Sequence, residues 1–123
     1  MGETWEDRLD MALSLSELNV HSIPLNALVP IKGTPFEACP QITQEDILRT
    51  IAIFRFINPT AYIRFAAGRS ILNDSGKQAF LSGANAAITG DMLTTSGNSI
   101  KEDIEMLEGM GFDLSSEKEK VLI

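Results

Sequence analysis

The sequence predicts an α/β fold built on a parallel sheet, and three observations predict it. Two short, mostly apolar segments, residues 21–29 and 61–67, read as strands. They flank an amphipathic helix of about 12 to 15 residues, the spacing of a right-handed crossover between parallel strands. Three Ser/Thr-x-x-acid signatures, at Thr4, Thr43 and Ser99, each open a run of helical periodicity. Two strands do not finish a parallel sheet, which needs both faces covered and its edges managed. The predicted sheet is therefore incomplete.

Thr4 caps a helix that runs to about Leu18. Trp5, Leu9, Ala12, Leu13, Leu15 and Leu18 form its apolar stripe, while Glu6, Arg8, Asp10 and Glu17 keep the other side wet. The first strand follows, with Ile23, Leu25, Leu28 and Val29, and the proline- and glycine-containing stretch 30–35 breaks it. Thr43 opens the second helix, where Ile47, Leu48, Ile51, Phe54 and Ile57 recur until Asn58-Pro59 stops them. The second strand, Ala61 to Ala67, closes at Gly68. Gly76 to about Ala87 reads as a helix of small residues, residues 88–93 fit no single class, and Ser99 opens a last helix ending near Gly109 or Gly111. The charged tail from Ser115 is expected to be loose.

With 123 residues, 44% hydrophobic and 22% charged, the chain has the composition of one folded domain. Its net charge of -7 repels phosphate backbones, and no Lys/Arg cluster offers a nucleic-acid footprint. No apolar run approaches the ~20 residues of a membrane span. The single cysteine, Cys39, excludes an internal disulfide and any site in which this chain alone supplies several thiolates, and it points to the cytoplasm. Neither His21 nor Cys39 has a partner at ligand or catalytic spacing.

Alternation places Ile63 and Phe65 on one face of the second strand and Tyr62, Arg64 and Ala66 on the other. Arg64 then needs a partner on the face away from the helices. A carboxylate on a neighbouring strand would supply a structural ion pair; a ligand cavity would supply something else. In the first strand Pro24, Asn26 and Leu28 share a face, which leaves a second polar side chain mid-strand on the non-helix side. Two such groups on successive parallel strands fit the lining of a cavity.

Gly2-Glu3-Thr4-Trp5-Glu6-Asp7-Arg8, Ile23-Pro24-Leu25-Asn26, Lys32-Gly33-Thr34-Pro35, Ala61-Tyr62-Ile63-Arg64-Phe65-Ala66-Ala67-Gly68-Arg69, and Gly83-Ala84-Asn85 through Thr94-Thr95 occur here in order. In that order and spacing they resemble the C-terminal third of the biotin synthase family. The resemblance implies the last part of a (βα)₈ barrel, normally of about 250 residues, in a radical S-adenosylmethionine enzyme that inserts sulfur into dethiobiotin. It implies three segments: a helix after a barrel strand (1–20), the biotin and thiamin synthesis associated domain (21–112) and a charged tail (113–123). Carried over by position, Arg64 matches an arginine ligand of a [2Fe-2S] cluster and Asn26 an asparagine that binds dethiobiotin. Val29 and Glu3 match positions beside S-adenosylmethionine, Glu3 as the last residue of a Gly-x-Ile-x-Gly-x-x-Glu strand motif. No catalytic residue is implied in this stretch, and the family is usually dimeric.

The chain lacks the cysteines that hold the family's [4Fe-4S] and [2Fe-2S] clusters, and Cys39 stands at none of their positions. The resemblance therefore predicts a C-terminal piece of the enzyme that is inactive alone, from a start inside the gene or a split one. The alternatives are a non-catalytic part-barrel that self-associates or completes a partner chain, and a related hydrogenase-maturation or amino-acid mutase enzyme. Arg64 together with Asn26 favours biotin synthase over those relatives.

Overall fold

The computed structural model describes residues 1–90 and 99–114. Two compact units divide the chain at residues 88 and 89. The first holds helix α1 (Trp5–Glu17), strand β1 (Ser22–Leu25), helix α2 (Gln44–Ile57), strand β2 (Tyr62–Phe65), a 3-10 turn (Arg69–Ile71), helix α3 (Lys77–Leu81) and strand β3 (Ala86–Ala87). The second holds helix α4 (Ile100–Gly109). The sheet is parallel throughout, in the order β1-β2-β3. The α/β class and the parallel crossover are as the spacing predicts.

All three cap signatures form. The Thr4 hydroxyl accepts from the Asp7 amide at 3.2 Å while the Asp7 carboxylate accepts from the Thr4 amide at 2.7 Å, a closed capping box. Ser99 and Glu102 repeat it at α4, and Thr43 caps α2 through the Asp46 amide. Asn19 takes a left-handed conformation (φ 52°) just past α1 and turns the chain into β1.

Ile23, Ile63 and Phe65 of the sheet are buried, as are Ile47, Ile51 and Phe54 on the apolar face of α2. α1 meets α2 differently from the expected leucine stripe. Ala12 is fully buried, whereas Leu9, Leu13 and Leu18 are 40, 49 and 74% exposed. A small side chain brings the two helices close, and polar groups then fasten them: Arg8 Nη1 donates to Thr50 Oγ1, Ser16 Oγ to the Ile57 carbonyl, and Asn58 Nδ2 to the Ala12 carbonyl. Arg8, read from periodicity as a solvated charge, is part of this contact.

The expected helix from Gly76 to Ala87 is a short helix followed by a two-residue strand. α3 ends at Leu81, Gly83 takes φ 122°, and Ala86 and Ala87 pair with Arg64 and Phe65. The Asn85 side chain explains the switch. Its Oδ1 accepts from the Ile63 amide at 2.8 Å and its own amide donates to the Ile63 carbonyl at 3.1 Å, so one residue serves as a complete ladder rung. Residues 91–93 of the segment 88–93 lie outside the described residues, as do Thr94-Thr95 and the tail from Ser115.

Pro24 shows how a proline sits inside a strand. The carbonyls of His21 and Leu25 and the amide of Ala27 bond to β2. In a parallel strand alternate residues address opposite neighbours, so Ser22, Pro24 and Asn26 turn their backbone groups to the outer edge, where the missing N–H breaks no bond.

Candidate functional site

Alternation along β2 puts Tyr62 and Arg64 on the face away from the helices, and the β1–β2 register sets Pro24 beside Arg64. The half-buried guanidinium of Arg64 donates from Nη2 to Ser22 Oγ at 2.5 Å. No carboxylate pairs with Arg64 among the described residues. Its partner is a neutral hydroxyl one step back along β1, so among the described residues no negative charge compensates it and further N–H groups remain available on this face. Ala86 of β3 stands on its other side.

Asn26 lies just past the end of β1, on the outward parity of Ser22 and Pro24. Its Oδ1 accepts from the Ala67 amide at 3.0 Å, continuing the ladder formed by Ala66 to Leu25 and Ala27 to Ala67. This bond fixes the carboxamide so that Nδ2, a donor, is the end left for another group. The close approach that builds this corner depends on Gly68, whose φ is 92° and whose missing Cβ would lie 2.4 Å from the Ala27 carbonyl oxygen.

Glu3 is more than one-third exposed and sits in a charge cluster at the start of α1. Its carboxylate accepts from the Met1 ammonium at 2.7 Å and from Arg8 Nη2 at 3.0 Å, and Arg8 stacks over the Trp5 ring at 4.7 Å. The ammonium above all, then backbone N–H and Arg8 bonds, hold the Glu3 pKa at about 2. A depressed carboxylate contributes stability that is complete above its unfolded pKa near 4.5 and is lost as pH falls toward 2.

Glu3 and Asn26 also line one cavity of about 250 Å³, bounded by the first turns of α1, the exit of β1 and the apolar face of α2. Of the sequence-predicted site residues, the structure thus brings Glu3 and Asn26 to the C-terminal end of β1, with Arg64 on the open face of the neighbouring strand. Val29 is half-buried and is not among the residues lining that cavity. Sequence reasoning missed Ser22 and the Arg8–Thr50 link. Ser22 shares the parity of Pro24 and Asn26, but only the cross-strand register reveals that it reaches Arg64.

Residues 24–113 match the family model described as the biotin and thiamin synthesis associated domain. Over 114 residues, 93% of the chain, the sequence is 66% identical to a protein described as biotin synthase from Alkaliphilus metalliredigens. It is 64% identical to one from Clostridium beijerinckii and 59% identical to one from Brachyspira hyodysenteriae over the same share. The chain spans 36, 36 and 34% of their respective lengths, about one-third of each. A parallel sheet with crossover helices, residues in the motif order described above and a family match across most of the chain converge on one assignment: this chain belongs to the biotin and thiamin synthesis associated domain family.

Proposed function

We propose that this chain is the C-terminal part of a biotin synthase and works within that enzyme in the conversion of dethiobiotin to biotin. In this reading Arg64 meets the [2Fe-2S] cluster, Asn26 binds dethiobiotin, and Glu3 and Val29 lie beside S-adenosylmethionine. The observation that carries it is Arg64: a guanidinium on the open face of a parallel sheet, held by the Ser22 hydroxyl with no carboxylate among the described residues to neutralise it. A structural ion pair is the ordinary reason for such an arginine, and none forms among the described residues. Asn26 suits a ureido ring, whose carbonyl accepts from a fixed Nδ2 donor.

The residues present do not build either cluster. One cysteine stands where several thiolates are required, and no group of three His, Cys, Asp or Glu that could hold a metal occurs among the described residues. No step of the reaction is therefore assigned to this chain acting alone. Reconstitution of the chain with iron and sulfide is expected to give no cluster absorbance and no biotin from dethiobiotin. Stoichiometric cluster incorporation would refute the inactivity of the isolated chain.

Asn26 separates a folding role from a binding role. Asn26→Ala removes the acceptor for the Ala67 amide and is expected to cost about 1 kcal/mol in urea denaturation. Asn26→Asp keeps that acceptor and replaces the donor, so stability is retained while dethiobiotin affinity of the assembled enzyme drops at least tenfold, measured by calorimetry. Equal affinity for the Asp variant and the unmodified protein would remove Asn26 from the site.

The second reading, a non-catalytic part-barrel that self-associates or completes a partner chain, draws on the outer edge of β1 and on half-exposed Leu9, Met11 and Leu13. In both readings the chain is expected to associate, with copies of itself or with the rest of the enzyme, and light scattering that finds only a monomer counts against both. No helix among the described residues is long and apolar enough to cross a membrane, and we place the protein in the cytoplasm without nucleic-acid partners.

A further inference from the structure

A separate cavity opens at the other end of the sheet, where the chain enters the strands. The two helix-to-strand connections, residues 16–21 and 58–61, form it, and its volume is about 90 Å³. Five steps of extended chain, roughly 16 Å, separate His21 at its rim from Asn26 at the exit of β1. None of its walls belongs to the site proposed above. Asn58, 5% exposed, lines it, and its Nδ2 donates to the carbonyls of Ala12 and Phe54 at 3.1 and 3.3 Å. Two carbonyl partners fix which end of the carboxamide carries the nitrogen. The oxygen end, Oδ1, accepts from no group among the described residues, although an amide oxygen so deeply placed ordinarily finds a donor. That donor has to come from whatever fills the cavity. Ser16 repeats the need: its one hydroxyl proton goes to the Ile57 carbonyl at 3.3 Å, which leaves only lone pairs for a visitor. His21 and Thr60, exposed at the rim, can each give and take a hydrogen bond.

Charge selects against ions of either sign. α1 and α2 both end at this cavity, and their last carbonyls bring partial negative charge. Arg55 offsets it, because its Nη1 donates to the carbonyls of Asn58, Pro59 and Ala61. A cation meets the guanidinium, and an anion meets the helix ends and an oxygen that wants a donor. We propose that this cavity binds a small uncharged polyol, one hydroxyl donating to Asn58 Oδ1 and a neighbouring one to Ser16 Oγ. At the ~30 Å³ that a water molecule occupies, the space holds roughly three waters. One triol in their place keeps the hydrogen bonds and removes the entropy cost of holding three separate molecules.

The probe is glycerol, titrated into the full chain and followed by amide ¹⁵N–¹H spectra. Saturable shifts are expected at Ser16, Asn19, His21, Thr60 and the side-chain amide of Asn58, while Asn26 and Ala67 stay in place. Three relatives of glycerol are each expected to bind at least tenfold more weakly: 1-propanol, which lacks two hydroxyls, and 3-aminopropane-1,2-diol and glycerate, which carry a positive and a negative charge. Asn58→Leu keeps the shape and removes the acceptor, and it is expected to weaken glycerol binding at least tenfold. Should it not fold, Thr60→Val changes an exposed rim hydroxyl and is expected to weaken binding severalfold. The proposal is overturned if the shifts rise linearly without saturation or spread over the whole chain, either of which would mean that only water occupies the cavity. It also fails if 1-propanol or a charged relative binds as tightly, or if a folded variant binds glycerol as well as the unmodified chain does.

Discussion

Replacing Gly68 with alanine is expected to destabilise the chain by on the order of 3 kcal/mol, the sum of a left-handed backbone penalty and forced overpacking. Gly68 takes φ 92°, and an added Cβ would stand 2.4 Å from the Ala27 carbonyl oxygen and 2.6 Å from the Ala27 Cβ. Neither neighbour is the far end of a flexible side chain, so the backbone itself has to yield. What yields is the crossing where Ala27 bonds Ala67 and Asn26 bonds the Ala67 amide. Urea denaturation measures the loss. A variant as stable as the unmodified protein would mean that the β1 and β2 exits separate freely, and Asn26 would then lose its fixed orientation.

Removal of the Arg55 guanidinium is the second large effect. Arg55 Nε donates to the Gly83 carbonyl at 2.8 Å, and Nη1 is shared among the carbonyls of Asn58, Pro59 and Ala61 at 3.2, 3.0 and 2.8 Å. One side chain thereby closes the end of α2, the entry to β2 and the turn before β3. Burial lowers its pKa, and Nη2 is buried without a hydrogen-bond partner. Arg55→Met keeps most of the apolar stem and takes a donor from four carbonyls, that of Asn58 keeping the Ala61 amide, for an expected loss of about 3 kcal/mol in thermal or urea unfolding. Arg55→Lys is expected to recover only part of it, because an ammonium lacks the planar fork that reaches both sides. Full rescue by lysine would show that charge alone, and not the fork, holds this junction.

The helices and the two longer strands were legible because their signals are local. A capping threonine or serine, an acid three residues on and a 3.6-residue apolar period lie within one segment, and Asn58-Pro59 marks an end without reference to anything distant. β3 was not legible in this way. Two alanines between Asn85 and Ile88 carry no strand signal of their own, and long-range pairing with β2, opened by the Asn85 contact with Ile63, makes them one. The α1 stripe was legible in part: it included Ala12, which close approach to α2 buries, together with Leu9, Leu13 and Leu18, which stay exposed. At the candidate site, alternation correctly placed Arg64 away from the helices. The identity of its partner depended on the β1–β2 register: the hydroxyl of Ser22, rather than a carboxylate, meets Arg64 among the described residues.

The two asparagine rungs make the sheet unequal in time as well as in space. Most amides of β2 are held by the backbone of a neighbouring strand, and their hydrogens exchange with solvent only when that neighbour moves away. The amides of Ile63 and Ala67 are held by the side chains of Asn85 and Asn26. A rotamer change in one residue uncovers each of them, an event many orders of magnitude faster than strand separation. Hydrogen exchange at Ile63 and Ala67 is therefore expected to outpace that at Tyr62 and Ala66, whose acceptors are the backbone carbonyls of His21 and Leu25.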